Sequence, residues 1–198
     1  MVITMPGGEI EPYYTEGHSQ DSPCSDWRPR TNPVITGYYW ESYKWCNNGD
    51  SRSLTKYNTV SNYGAVDNKT SFKDYDYEDD AAHAALGGNW RMPTDAEWEE
   101  LRKNCTWTWT RNYNGTGVAG RIVTSNKTGY TNKSIFLPAS GDRYGTVLDG
   151  VGTIGSYWSS SLYSDPRFAL GAYGDSNGVG IYRGDRIYGH PVRPVSEL

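Results

Sequence analysis

The sequence predicts an α+β fold, two short helices packed on twisted antiparallel sheets with much irregular loop structure. Three observations carry this reading. Thr94-Asp95-Ala96-Glu97 is a capping box, in which hydroxyl and carboxylate satisfy opposite amides at a helix start. Thr106-Trp107-Thr108-Trp109-Thr110 alternates hydroxyl and indole, the period of a strand. Ser176-Asn177-Gly178 parts two further strand-like runs as a hairpin turn does. Helix signals precede a run of strand signals, the order of α+β rather than of alternating α/β.

Taken in order, residues 1–35 are polar and rich in proline, with Glu11-Pro12, Ser22-Pro23, Arg28-Pro29 and Asn32-Pro33. They read as a long N-terminal loop region. Aromatic residues crowd the next stretch, including Tyr38-Tyr39-Trp40, Tyr43, Trp45, Tyr57 and Tyr63, without strong periodicity. Asp79-Asp80 before Ala81-Ala82-His83-Ala84-Ala85-Leu86, with Gly87-Gly88 after, predict a short helix over 80–86. Pro93 and the capping box start a second over 94–103, whose Trp98 and Leu101 share a face. Strands are then expected at Thr106–Thr110, Ile122–Thr124, Ser134–Pro138, Tyr157-Trp158, Phe168–Leu170 and 179–183. Trp98, Trp107, Trp109, Phe136 and Trp158 are expected in or near the core. No internal repeat or linker appears, so residues 1–198 read as one domain.

Composition narrows the class. Only 36% of the 198 residues are hydrophobic, and 17 Tyr and 8 Trp stand against 3 Phe. Aromatics must therefore carry much of the burial, each with a partner for its polar atom. A net charge of −4 without a basic stripe speaks against nucleic acid as a partner. No apolar run approaches the ~20 residues that cross a bilayer, so no direct membrane insertion is expected. No signal peptide is read at Met1–Pro6. Cys24, Cys46 and Cys105 allow at most one disulfide, and the choice of pair stays open. Five Asn-X-Ser/Thr sequons, at Asn68, Asn104, Asn114, Asn126 and Asn132, read as turn chemistry in an Asn- and Thr-rich chain.

Several segments combine into a recognisable set. They are Gly88-Asn89-Trp90-Arg91-Met92-Pro93-Thr94-Asp95-Ala96-Glu97-Trp98, Asn104-Cys105-Thr106-Trp107, Ser134-Ile135-Phe136-Leu137-Pro138-Ala139, Gly155-Ser156-Tyr157-Trp158-Ser159-Ser160-Ser161 and Val192-Arg193-Pro194-Val195. Over about residues 7 to 198 the chain resembles the Fibrobacter succinogenes major paralogous domain family. That resemblance implies a C-type lectin-like fold, similar to formylglycine-generating enzymes and to the variable proteins of diversity-generating retroelements. The family opens with a Cys-bearing strand that Met1–Pro6 does not match, so the first family strand is expected to be missing.

Threaded through the C-terminal framework is a scatter of Tyr163, Arg167, Phe168, Gly171, Tyr173, Asp175, Gly180, Tyr182, Arg183, Asp185, Arg186, Tyr188 and His190. Tyr supplies rigid contact area, Arg and Asp forked hydrogen bonds, Gly adaptability: the make-up of a binding surface rather than of a catalytic centre. In retroelement variable proteins the C-terminal part of the fold is the diversified one, and the scatter has that composition. The resemblance thus implies a ligand-binding display protein, a retroelement variable protein or related surface adhesin. It would hold a protein or glycan ligand on a cell or phage-host surface, outside the cell or on a phage particle. The larger of these side chains are expected to be exposed and to cluster on one face. A non-diversified surface or structural module of the same family is the alternative.

Asp74, Asp76, Glu78, Asp79 and Asp80 are the candidate calcium ligands; a solvated loop running into a helix start is preferred, and no cofactor is expected. His18, His83 and His190 are widely spaced and give no metal pattern. The framework Trp residues, Trp90 included, read as core before they read as a sugar platform. Arg193 is expected to pair with a carboxylate or backbone near the C-terminus. Ser159-Ser160-Ser161 lacks a nucleophile elbow and reads as strand residues bonding the backbone. Arg91–Trp98 is similar to a formylglycine-generating enzyme motif. That enzyme's copper site needs a pair of cysteines in the C-terminal part, and no cysteine follows Cys105.

Overall fold

The structure, a computed structural model, describes residues 37–71 and 78–196 and the backbone of two short N-terminal strands. In chain order these are Val2–Thr4 (β1) and Ile10–Glu11 (β2), then Ala81–Leu86 (α1), Trp90–Arg91 (β3) and Asp95–Asn104 (α2). Cys105–Thr110 (β4), Gly120–Ser125 (β5), Ser134–Pro138 (β6), Ser140–Tyr144 (β7), Val147–Val151 (β8) and Gly155–Leu162 (β9) follow. Phe168–Gly174 (β10), Val179–Asp185 (β11), Gly189–Pro191 (β12) and Val195–Ser196 (β13) end the chain. This is α+β, with strands far outnumbering helices.

The largest sheet runs β11-β10-β9-β7-β12-β1-β2, with β8 on β7. Its pairs are antiparallel except for one parallel bridge, Gly141 to Gly155. β4-β5-β6 form a separate three-stranded sheet, and β3 pairs with β13. The segment 105–195 therefore builds more than one sheet. The strand at Val2–Thr4 pairs with Gly189–Pro191, in the stretch where the family strand was expected to be missing. Residues 12–36, most of the expected N-terminal loop region with Cys24 and His18, lie outside the described residues.

Local chemistry explains the helices. The buried Asp80 carboxylate caps α1 by accepting from the amides of Ala82 and His83, and it also accepts from Met92 at 2.9 Å. Burial nonetheless pushes its pKa up. Gly87, at φ 66°, ends the helix where an L side chain would be strained. At α2, Thr94 Oγ1 accepts from the Glu97 amide and the Glu97 carboxylate accepts from the Thr94 amide. Arg91 donates two further bonds to Glu97, at 2.8 and 2.6 Å, and holds its pKa down at about 2.

Trp98 is 3% exposed and clusters with Val123, Leu137, Tyr157 and Ala172, so α2 is anchored on the sheets as expected. Its indole N–H donates to the Trp158 carbonyl at 3.3 Å. Trp158 is fully buried and donates to the Tyr188 carbonyl at 3.1 Å. Trp107 and Trp109 share the half-buried side of β4, whose Thr106 and Thr108 are exposed, and Phe136 is half-buried. Trp90 departs from the core expectation at 42% exposure. Strand alternation turns Arg91 inward to Glu97 and the Met92 carbonyl, and so turns its neighbour Trp90 out.

Among the other expectations, Ser159 does bond the backbone, donating to the Leu170 carbonyl at 2.7 Å. Ser161 instead donates to Asp95 and accepts from its amide, tying β9 to the start of α2. Cys105 is a free thiol, and the Cys46 thiol donates to the Asp50 carbonyl at 2.9 Å. Asn68 and Asn114 take left-handed backbone, as turn chemistry requires. Arg193 is exposed and makes no ion pair among the described residues.

Candidate functional site

The segment 163–190 is built around the β10–β11 hairpin. Its turn closes on Asp175, whose carboxylate accepts from the amides of Asn177 at 2.7 Å and Gly178 at 2.9 Å. These bonds hold the Asp175 pKa below the usual range. The Tyr173 hydroxyl donates to the same carboxylate at 2.9 Å. Asp175 is thus the keystone of the turn.

Register then decides where the remaining candidates go. Phe168 pairs with Asp185, Leu170 with Arg183, Gly171 with Tyr182 and Tyr173 with Gly180. Paired residues share a side of the sheet, and neighbours along a strand take opposite sides. Phe168, Arg183 and Asp185 therefore lie on one side, and Gly171, Tyr173, Gly180 and Tyr182 on the other. The expected single cluster is two.

The second side leads into the core. Tyr182 is half-buried and stacks on Trp158 with centroids 6.1 Å apart. Burial drives its hydroxyl pKa well up. Gly184 lies under both rings; a Cβ there would stand 2.9 Å from Trp158. Gly171 is also closed, since its Cβ would meet the Tyr157 carbonyl oxygen at 2.5 Å. His190 is 1% exposed and meets Trp158 edge-on at 4.2 Å. Neither ring nitrogen has a hydrogen-bond partner among the described residues, and burial lowers its pKa to about 3. Half-buried Tyr188 packs between His190 and Tyr144.

Arg186 is the sharpest departure from expected exposure, at 0%. Its guanidinium donates to Tyr43 Oη at 2.9 Å and to the carbonyls of Tyr57, Pro166 and Lys56. It closes the C-terminal segment onto residues 43–57, a structural task. Arg186 and His190 look like surface residues by type. They are buried because each sits just beyond the hairpin, where the chain turns back under the aromatic stretch of residues 38–63.

The first side is different. Arg183 is exposed, its guanidinium carbon 5.1 Å from the Tyr163 ring and 5.2 Å from the Phe168 ring. Arg167 lies 5.5 Å from Phe168 and 4.9 Å from Tyr63. Tyr163, Arg183, Phe168, Arg167 and Tyr63 thus alternate ring and guanidinium in one continuous ladder, each contact electrostatically favourable. Asp165 clamps Arg167 with two bonds, at 3.0 and 2.6 Å, and accepts from Tyr63 Oη at 3.3 Å. Arg167 holds the Asp165 pKa down, whereas burial raises that of Asp185. A cavity of about 340 Å³ lined by Arg52, Asn62 and Tyr63 opens at the ladder's far end.

Tyr63 and Asp165 were missed by sequence reasoning. Asp165-Pro166 carried a turn signal that pointed to it. Nothing local links Tyr63 to residues a hundred positions later.

The candidate calcium ligands are engaged otherwise. Asp79 is buried, bonded by Lys56 and by Tyr57 Oη at 2.7 Å, with Lys44 at 3.6 Å. Asp80 is the α1 cap, Glu78 is exposed, and Asp74 and Asp76 lie outside the described residues. Among the described residues no group of three or more His, Cys, Asp or Glu side chains is placed to hold a metal ion. No helix among them is long and apolar enough to cross a membrane.

No protein-family model matches the chain, and neither does any curated protein or solved structure compared with it.

Proposed function

We propose that the chain is a ligand-binding display module of C-type lectin-like fold, and that it holds a macromolecular ligand through the arginine–aromatic ladder at Tyr163, Arg167, Phe168 and Arg183. The observation that supports this most is the contrast in burial within one segment. Arg186 and His190 are closed in the core, while in the ladder Tyr163 and Arg183 are exposed and Arg167 and Phe168 half-buried. Arg and Tyr on a rigid sheet are the residue types that dominate binding hot spots. The backbone beneath them is fixed by the Asp175 turn, so side chains can be exchanged without moving it.

The sequence resemblance extends the proposal to the paralogous domain family and to diversification by a retroelement. On this reading the exchangeable positions are the ladder, Asp185, Tyr173 and Gly180. Gly171, Arg186 and His190 belong to the framework. A library randomised at Tyr163, Arg167, Phe168 and Arg183, displayed on cells and sorted for protease resistance, tests it. Most ladder variants should stay folded, while substitutions at Trp158 and Arg186 should not. Equal loss at both sets would overturn the display reading. A reverse-transcriptase gene beside the coding sequence, with a near-copy of its 3′ end, is the corresponding genomic expectation.

A further inference from the structure

We infer that the free edge of β11 receives an extended acidic segment of a protein ligand, with one of its carboxylates seated on Arg183. This rests on the display reading and names its ligand chemistry.

The first ground is charge. Arg167 is matched by Asp165, Arg91 by Glu97 and Arg102 by Glu99. Arg121 donates to the carbonyls of Asp175 and Trp107, and Arg186 to four oxygens. The Arg183 guanidinium has two rings for neighbours and no hydrogen-bond acceptor among the described residues. Two aromatic contacts restrain it without using its N–H groups. A restrained planar fork with open donors is the arrangement that takes a carboxylate in bidentate fashion. Arg52, lining the cavity beyond Tyr63, is a second exposed guanidinium with no ion pair among the described residues. The nearby acid, Asp185, is half-buried and faces Arg167.

The second ground is the edge itself. Among the described residues β11 ends the sheet, with β10 as its one strand neighbour. Outside that ladder, no backbone hydrogen bond among the described residues involves residues 179–184. The strand is half-buried apart from exposed Arg183 and buried Gly184, and the unpaired outer main-chain groups of residues 179–184 are a template for an added strand. Arg183, exposed toward the C-terminal end of β11, disfavours a neutral apolar strand and selects one carrying acid at the facing position. A glycan would find the charge but would leave these main-chain groups unused, so the two grounds together favour a peptide.

The test uses the whole chain and a fluorescein-labelled peptide of alternating Glu and Thr, as long as β11, titrated by anisotropy at low salt. Saturable binding is expected, with the dissociation constant raised about tenfold by Arg183→Ala and less by Arg183→Lys. Arg111→Ala, an exposed cation elsewhere, should change nothing. A peptide of equal charge with proline at alternate positions should bind about tenfold more weakly, because it cannot pair with the edge. Indifference to Arg183→Ala, indifference to proline, or no saturable binding would each overturn the inference. So would tighter binding of a sulfated oligosaccharide, or self-association of the chain in place of peptide binding. If the ladder library stays folded and yields binders to other targets while the acidic peptide fails, this inference falls and the display reading stands. Unfolding of the library removes both.

Discussion

Arg183 and Arg186 stand three residues apart, and the chain treats them in opposite ways. Arg183 is exposed on the hairpin, held by two rings and bonded to no oxygen among the described residues. Arg186, just past the end of β11, is fully buried and donates to one hydroxyl and three carbonyls. The same contrast separates the Phe168–Arg183 side of the hairpin from the Tyr182–Trp158–His190 side. Residue type does not decide between burial and exposure here. Strand register and the place where the chain turns inward decide it.

Arg186→Met should open the comparison widest. The variant keeps the stem and removes every donor, leaving three carbonyls and the Tyr43 hydroxyl without their partner. Each buried acceptor so orphaned costs about 1–3 kcal/mol, so the variant should lose about 3 kcal/mol or more in urea unfolding. Arg183→Met should stay within about 0.5 kcal/mol of the parent. Similar losses from both would erase the distinction between the two regions.

His190 gives the next effect, through pH. Its ordinary pKa of 6.5 is lowered to about 3 by burial. Between those values the unfolded chain binds a proton that the folded chain refuses. The stability is therefore fully present above pH 6.5 and is lost as pH falls toward 3. One proton sets a slope of about 1.4 kcal/mol per pH unit across that window. The groups stacked on His190 are Trp158, Tyr182 and Tyr188, none of which changes charge there. Unfolding midpoints of the parent should fall between pH 6.5 and 4.5, and His190→Phe should flatten the profile. An equally steep profile in the variant would assign the slope to other groups.

Two glycines sharpen the comparison within the hairpin, on the same side of the sheet. A Cβ at Gly171 would press on the Tyr157 carbonyl oxygen, whereas one at Gly180 would meet nothing within 4 Å. Gly171→Ala should cost about 1–3 kcal/mol by overpacking, and Gly180→Ala less than about 0.5 kcal/mol. Thermal unfolding of the pair measures the difference, and equal costs would contradict the register.

How much of this was legible follows from range. The capping box, the Asp80 start of α1, the indole alternation of β4 and the hairpin turn are local, and the structure places each where local chemistry indicated. The β7–β8 hairpin went unread although Gly145, at φ 56°, opens a two-residue turn between Tyr144 and Val147, a signal of the right kind. The inward turn of Trp90's neighbour depended on the Arg91–Glu97 pair, six residues away and already inside a quoted motif. The division of the candidate site into two sides needed the pairing register of β10 and β11. The burial of Arg186 needed Tyr43 and Tyr57, more than a hundred residues upstream. Sequence composition pointed to the segment that carries the ladder; only tertiary partners separated its exposed residues from its buried ones.

The smallest effect tests the ladder as a physical unit. Arg183 and Tyr163 are both solvent-facing, Tyr163 at 36% exposure, so their attraction is weakened by water but not abolished. A double-mutant cycle of Arg183→Met and Tyr163→Leu should give a coupling of about 0.5 kcal/mol in unfolding free energy. The same cycle between Arg183 and Tyr173, on opposite sides of the hairpin, should give none. Adding salt should barely change the first coupling, because the ring carries no net charge to be screened, whereas the Arg167–Asp165 pair should weaken. Coupling that is absent between Arg183 and Tyr163, or that appears equally across the sheet, would mean the ladder is a row of independent side chains. The guanidinium fork would then be mobile, and its readiness for a carboxylate would have no structural basis.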